Sequence, residues 1–226
     1  FNDNMCTKRI FLSFVVMLAV SPLFAQKADW AWFGKYSDSN ANVTVKPKAV
    51  LLGDSITEGW VRADPDFFTA NNFVGRGISG QTTSQILVRM REDVVRLKPK
   101  YVVILCGIND IALNPGHAVS VETAVGSIES MCEIARANGI KPVVCSLLGS
   151  YNIRWRPEVK DSFEQVVRFN ELLKAYAKEK HIKYVDYFTL MSDGTGRIRP
   201  EYSEDTVHPN IEGFKVMENY LLGFLK

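Results

Sequence analysis

Ser55 ends the apolar run Ala49-Val50-Leu51-Leu52, inside the pentad Gly53-Asp54-Ser55-Ile56-Thr57. A small nucleophile at the carboxyl end of a buried strand stands where open α/β folds bind their ligands. A serine hydroxyl attacks usefully only beside a base. The chain offers one far away in sequence, in Asp205-Thr206-Val207-His208. Pro209 disfavours helical backbone at His208, so these four residues should form a loop. Within it, a carboxylate three positions from an imidazole can reach a ring nitrogen, fix its tautomer and stabilise its cation. Hydroxyl, imidazole and carboxylate are the parts of an acyl-transfer site. The chemistry they suggest is hydrolysis of an ester through an acyl-serine intermediate.

Acyl transfer also needs donors for the oxyanion. Gly107-Ile108-Asn109-Asp110 follows a predicted strand ending at Cys106, which brings the Asn109 amide to the rim occupied by Ser55 if the two strands are neighbours. The stretch Gly75-Arg76-Gly77-Ile78-Ser79-Gly80 literally matches the dinucleotide-binding pattern of glycines, between a predicted strand and a predicted helix. It follows the second strand rather than the first, however. Lys100 and Tyr101 fall where an acid is expected about 20 residues further on. These glycines read instead as points of close backbone approach, which lets an N–H face a substrate oxygen. The pentad around Ser55 is not the G-x-S-x-G elbow, because Thr57 replaces its second glycine. Each segment alone also reads as turn or capping chemistry. Together, three strand ends and one loop present a nucleophile, two kinds of donor, a base and its orienting acid.

The elements that must position these residues alternate. Short apolar runs at residues 49–52, 72–74, 101–106, 142–147 and 183–186 predict strands. Residues 82–97, 121–138, 161–180 and 211–225 predict helices. In the third helix Phe163, Val166, Phe169, Leu172, Leu173 and Tyr176 fall on one face, opposite Glu164, Arg168, Glu171 and Lys178. Gly139 follows the second helix, where a left-handed cap residue is wanted. Strand–helix alternation at this spacing predicts parallel strands with right-handed crossovers, most simply a five-stranded doubly wound sheet. Residues 26–47 are aromatic and then polar, and predict an arm lying on the single domain of residues 48–226. Trp30, Trp32, Phe33 and Tyr36 would cover core edges or offer a sugar platform.

The 226 residues carry a formal net charge of +2 with interspersed signs, and are 46% hydrophobic. No basic stripe suggests nucleic acid. Lys8 and Arg9 precede the apolar run Ile10 to Leu18 and the small Ala25, so residues 5–25 read as a signal peptide whose apolar stretch is too short to span a bilayer comfortably, a retained anchor being the alternative. A secreted or periplasmic protein without stable membrane insertion is expected. Cys106, Cys132 and Cys145 would remain, an odd count that makes no disulfide framework. The first and last of these sit on predicted strands and read as buried packing thiols. Three scattered histidines give no metal site.

The set resembles the SGNH hydrolases, also called the GDSL esterase/lipase family. Gly53-Asp54-Ser55-Ile56 is similar to the family's serine block, with isoleucine for leucine. Gly77-Ile78-Ser79-Gly80 is similar to its glycine block, Gly107-Ile108-Asn109-Asp110 to its asparagine block, and Asp205 to His208 to its last block. The four occur in order over residues 53–208. The resemblance implies a flavodoxin-like three-layer α/β/α sandwich with a five-stranded parallel sheet. It also implies catalysis by Ser55, Asp205 and His208, an oxyanion hole of Ser55, Gly80 and Asn109, and no cofactor. Relatives often carry asparagine where this chain has Gly75, in what reads as the turn ahead of Gly80.

Trp60 lies just past the nucleophile, and Tyr151, Arg154, Trp155 and Arg156 crowd the loop after the fourth strand. Aromatic faces beside guanidinium donors suit a sugar or other polar alcohol. With export and a family rich in short-chain esterases, these residues point to a glycan or small-molecule acetyl ester as substrate. A lysophospholipid or thioester is the alternative within the enzyme class, and a glycan-binding module without catalysis the alternative outside it.

Overall fold

The computed structural model describes residues 29–114 and 119–226. The predicted leader and His117 lie outside the described residues. Five strands, β1 (Ala49–Gly53), β2 (Phe73–Gly77), β3 (Tyr101–Leu105), β4 (Lys141–Cys145) and β5 (Lys183–Val185), pair in parallel in the order β2-β1-β3-β4-β5. This is the flavodoxin-like winding, with its switch point between β1 and β3, where such sheets open a crevice beyond the strands' carboxyl ends.

Alternate residues of each strand feed opposite faces. Val50, Leu52, Val102 and Ile104 pack under α4 (Thr83–Asp93), α6 (Val121–Ala137) and α7 (Ser162–Glu179). Ala49, Leu51, Val103 and Leu105 pack under α2 (Ser55–Ala63), α3 (Pro65–Ala70) and α9 (Ile211–Leu222). The three layers follow from burying both faces of an all-parallel sheet. Short helices α1 (Ser37–Ala41), α5 (Ile108–Ile111) and α8 (Tyr187–Leu190) complete the described α-helices, beside 3-10 turns at Val95–Leu97 and Pro200–Tyr202.

Gly139, at φ +71°, ends α6 in the left-handed conformation that its place in the sequence predicts. Cys106, Cys132 and Cys145 are buried free thiols. Among the described residues no helix is long and apolar enough to cross a membrane.

The largest departure is at β2. The predicted strand stops at residue 74, but the structure carries it through Gly77. A Cβ at Gly75 would lie 2.1 Å from Val61 Cγ2, and one at Gly77 2.3 Å from the Glu58 nitrogen. The glycines therefore admit α2 onto the strand. Gly75 belongs to the strand, not to a turn ahead of Gly80, so its lack of a side chain serves packing. The predicted helix over residues 82–97 ends at Asp93, because Val94 leaves helical geometry and Lys98 turns left-handed at φ +51°.

The segment before β1 lies over α4 and the loop after β2. The Tyr36 hydroxyl donates to the Gly77 carbonyl, and its ring stacks on the Arg76 guanidinium at 4.7 Å. Asn40 bonds the Asp93 carboxylate at 2.8 Å and accepts from Arg76 Nε at 2.7 Å. Tyr36 thus covers a core edge, while Trp30, Trp32 and Phe33 stay exposed.

Candidate active site

The register aligns the ends of three strands. Gly53 of β1 lies opposite Gly77 of β2 and Leu105 of β3. Just beyond those ends come Ser55, Gly80 and Asn109. Ser55 is the first residue of α2, where an N–H has no acceptor inside the helix. Asp54 caps that helix, its Oδ1 accepting the Ile56 N–H at 3.0 Å.

Ser55 Oγ lies 2.8 Å from His208 Nε2, and His208 Nδ1 lies 2.6 Å from Asp205 Oδ2. The other Asp205 oxygen accepts the backbone N–H groups of Val207 at 2.9 Å and His208 at 2.7 Å. Burial pushes the Asp205 carboxyl up, but its bonds from the His208 ring and from these two N–H groups outweigh that and hold it below the usual range. An ionised carboxylate only accepts. Nδ1 therefore carries a hydrogen, and in the neutral ring the lone pair of Nε2 faces the serine hydroxyl. The loop achieves this by turning left-handed at Thr206, φ +71°. Asn210 then caps α9.

The donors are held by a second set of contacts. No described group accepts the Gly80 N–H, and Gly80 takes φ +79°. Asn109 is buried; one amide hydrogen goes to the Gln81 carbonyl at 3.0 Å, leaving the other for an incoming oxygen. Asn114 donates to the Gly80 carbonyl at 2.6 Å and to Asn109 Oδ1 at 3.2 Å, tying the two donor positions together. Glu58, one turn along α2, accepts from the N–H and hydroxyl of Ser79 and pairs with Lys35 at 2.6 Å. Asp110 takes both donors of Thr83 at 2.8 and 2.9 Å, fixing α5 to the start of α4.

Of the substrate residues expected from the sequence, one reaches this rim. Trp155 is 42% exposed and its ring centroid lies 5.7 Å from that of His208. Trp60 does not. It is buried in the core between Phe67 and Phe214, and its indole N–H donates to Glu218 at 2.8 Å. Tyr151 is half-buried beneath Arg197, Arg154 holds the Glu204 carbonyl at 2.9 Å, and Arg156 holds that of Leu113 at 3.1 Å. These residues anchor the loop that carries Trp155.

Asp54, next to Ser55, is fully buried, and its Oδ2 finds no hydrogen-bond partner. Burial pushes its carboxyl up to about 7. A proton held more tightly in the fold than in the unfolded chain favours folding at low pH, and that contribution is lost as pH rises from about 4 to about 7. Asp54→Asn keeps the acceptor for Ile56 and removes the titration. The variant's melting temperature should therefore gain on the wild type's between pH 4.5 and pH 8. An unchanged difference would mean that the carboxyl titrates as an exposed one.

A doubly wound sheet carrying a hydroxyl, an imidazole and a carboxylate in hydrogen-bonded series at its switch point has the architecture of a hydrolase. The comparisons with known proteins agree. The chain belongs to the GDSL-like Lipase/Acylhydrolase family, whose model matches residues 51–216. Its fold is similar to that of a GDSL-like lipase from Bacteroides thetaiotaomicron, with a TM-score of 0.82, 41% identity, and 86% of this chain and 97% of that one covered. In sequence it is 35% identical to an uncharacterised lipoprotein of Bacillus subtilis, over 44% of this chain and 47% of that protein. It is 24% identical to an acetylxylan esterase of Geobacillus stearothermophilus, over 66% of this chain and 69% of that one. The chain thus spans about half of the first of these two relatives. Membership in this family supports an ester hydrolase.

Proposed function

We propose that the protein is an exported serine esterase that removes short acyl groups, acetyl foremost, from a carbohydrate. The observation that carries this reading is the 2.8 Å contact between Ser55 Oγ and a nitrogen of His208 whose other nitrogen is held by Asp205. His208 takes the serine proton as Oγ attacks the ester carbonyl, and Asp205 stabilises the imidazolium. The oxyanion meets the N–H groups of Ser55 and Gly80 and the amide of Asn109. His208 then protonates the departing alcohol. Water, activated by the same imidazole, releases the acid and restores Ser55.

Trp155, exposed beside His208, supports a sugar as the alcohol, since flat aromatic faces suit sugar rings. The similarity to an acetylxylan esterase supports acetyl as the acyl group. The leader-like start and the lipoprotein relative support export.

A fluorophosphonate probe should label Ser55, and labelling should fall away in His208→Ala. Acetate should be released from acetylated xylan faster than fatty acid from lipid esters. Labelling indifferent to His208, or turnover of lipid esters alone, would overturn this reading.

A further inference from the structure

The side of α2 that faces the site carries more than the nucleophile. Ser55, Gly59 and Arg62 stand at positions i, i+4 and i+7 of this helix, on one face. All three line a hollow of about 510 Å³ that opens beside Ser55 and His208. Ile56, Ile211 and Phe214 give it apolar walls. Among the described residues Arg62 is the only permanently charged one in its lining, and no carboxylate lines it. Among the described residues Arg62 makes no ion pair.

Gly59 points the same way. A glycine inside a helix costs backbone entropy, so its presence needs a reason. At Gly77 the reason is steric, but at Gly59 a Cβ would meet nothing nearer than Phe214 Cζ, at 3.8 Å. The fold has room for a side chain there. Its absence leaves bare helix between the nucleophile and the cation. Seven residues of helix span about 10 Å, and a long helical side chain leans toward the N-terminus, here toward Ser55.

We propose that this hollow receives the anionic end of an amphiphilic ester, a role that rests on the proposed ester hydrolysis at Ser55. A carboxylate on the ester's acyl group or on its alcohol lies across Gly59 and pairs with Arg62, while the scissile carbonyl sits at Ser55. The protein would then prefer esters bearing a negative charge one hollow's length from the reacting bond.

Two matched pairs of probes separate the two sources of charge. On the acyl side, 4-nitrophenyl butyrate is compared with mono-4-nitrophenyl glutarate; on the alcohol side, phenyl acetate is compared with 4-acetoxybenzoate. The wild type should favour the charged member of one pair in kcat/KM. Arg62→Gln should lower that charged-to-neutral ratio about tenfold, and Arg62→Glu should lower it further. Gly59→Ala should raise the melting temperature yet lower kcat/KM for the favoured charged ester, a split that a purely structural glycine would not give. Ratios indifferent to Arg62, with the neutral esters still cleaved, would overturn this inference and leave the esterase reading standing. Turnover of none of the four would bring down both.

Discussion

Ser55→Ala should lower kcat/KM for 4-nitrophenyl acetate by at least about 10⁴-fold while leaving the melting temperature close to the wild type's. The first expectation follows from the hydroxyl's position, since His208 Nε2 has its lone pair aimed at that oxygen. The second follows from how little the fold asks of it. The α2 cap comes from Asp54, and the Ser55 side chain is only half-buried, with its hydroxyl bonded to His208. Alanine is a good helix former at the first position of a helix. Nucleophile and base act as one unit, so their losses should not add. Ser55→Ala combined with His208→Ala should be about as slow as either alone, whatever activity is left coming from the oxyanion donors. A single variant retaining activity within tenfold of the wild type would remove Ser55 from its role.

The strands and the residues that meet at their ends were legible in the sequence for a shared reason. Buried parallel strands are short runs of apolar residues, and polar residues just past them fall on one rim. Helix α2 was not legible. It carries few apolar residues, Ile56 and Trp60 among them, and Gly59 interrupts the pattern. Missing that helix is what misassigned Trp60. At 3.6 residues per turn, a position five beyond Ser55 points about 140° away from it, into the core. Gly59 and Arg62 share the side of Ser55 instead. The supporting residues Glu58, Gln81, Asn114 and Arg89 were also silent, because polar groups in helices and loops read as solvated until their partners are known. Only the tertiary fold brings Asn114 onto Gly80, or Glu58 onto Ser79.

Arg89→Met should unfold at a temperature lower by roughly 10 °C and should also slow the reaction. Arg89 is wholly buried in α4 and pairs with Asp93, itself buried. Taking away Arg89 leaves the buried Asp93 carboxylate with only Asn40 and the charge of Arg76 to offset it, which costs up to about 3–5 kcal/mol. Arg89 does a second thing. Its Nε donates to Gln81 Oε1 at 2.7 Å, and the Gln81 backbone carbonyl holds the Asn109 amide at 3.0 Å. On the proposed mechanism Arg89 is therefore a positioning residue for Asn109, which it does not touch. Arg89→Met combined with Asp93→Leu separates the two effects. Replacing both charges with apolar groups should restore part of the melting temperature, because Asp93 is no longer left without Arg89, while the buried Arg76 and Asn40 lose the carboxylate they share. It should not restore kcat, because Gln81 is then held only by its bonds to the Ala31 and Ile78 carbonyls, and KM should move much less than kcat. If the double variant recovers kcat together with stability, Arg89 serves the fold alone, and the orientation of Asn109 is fixed by Asn114 and the Gln81 carbonyl without it.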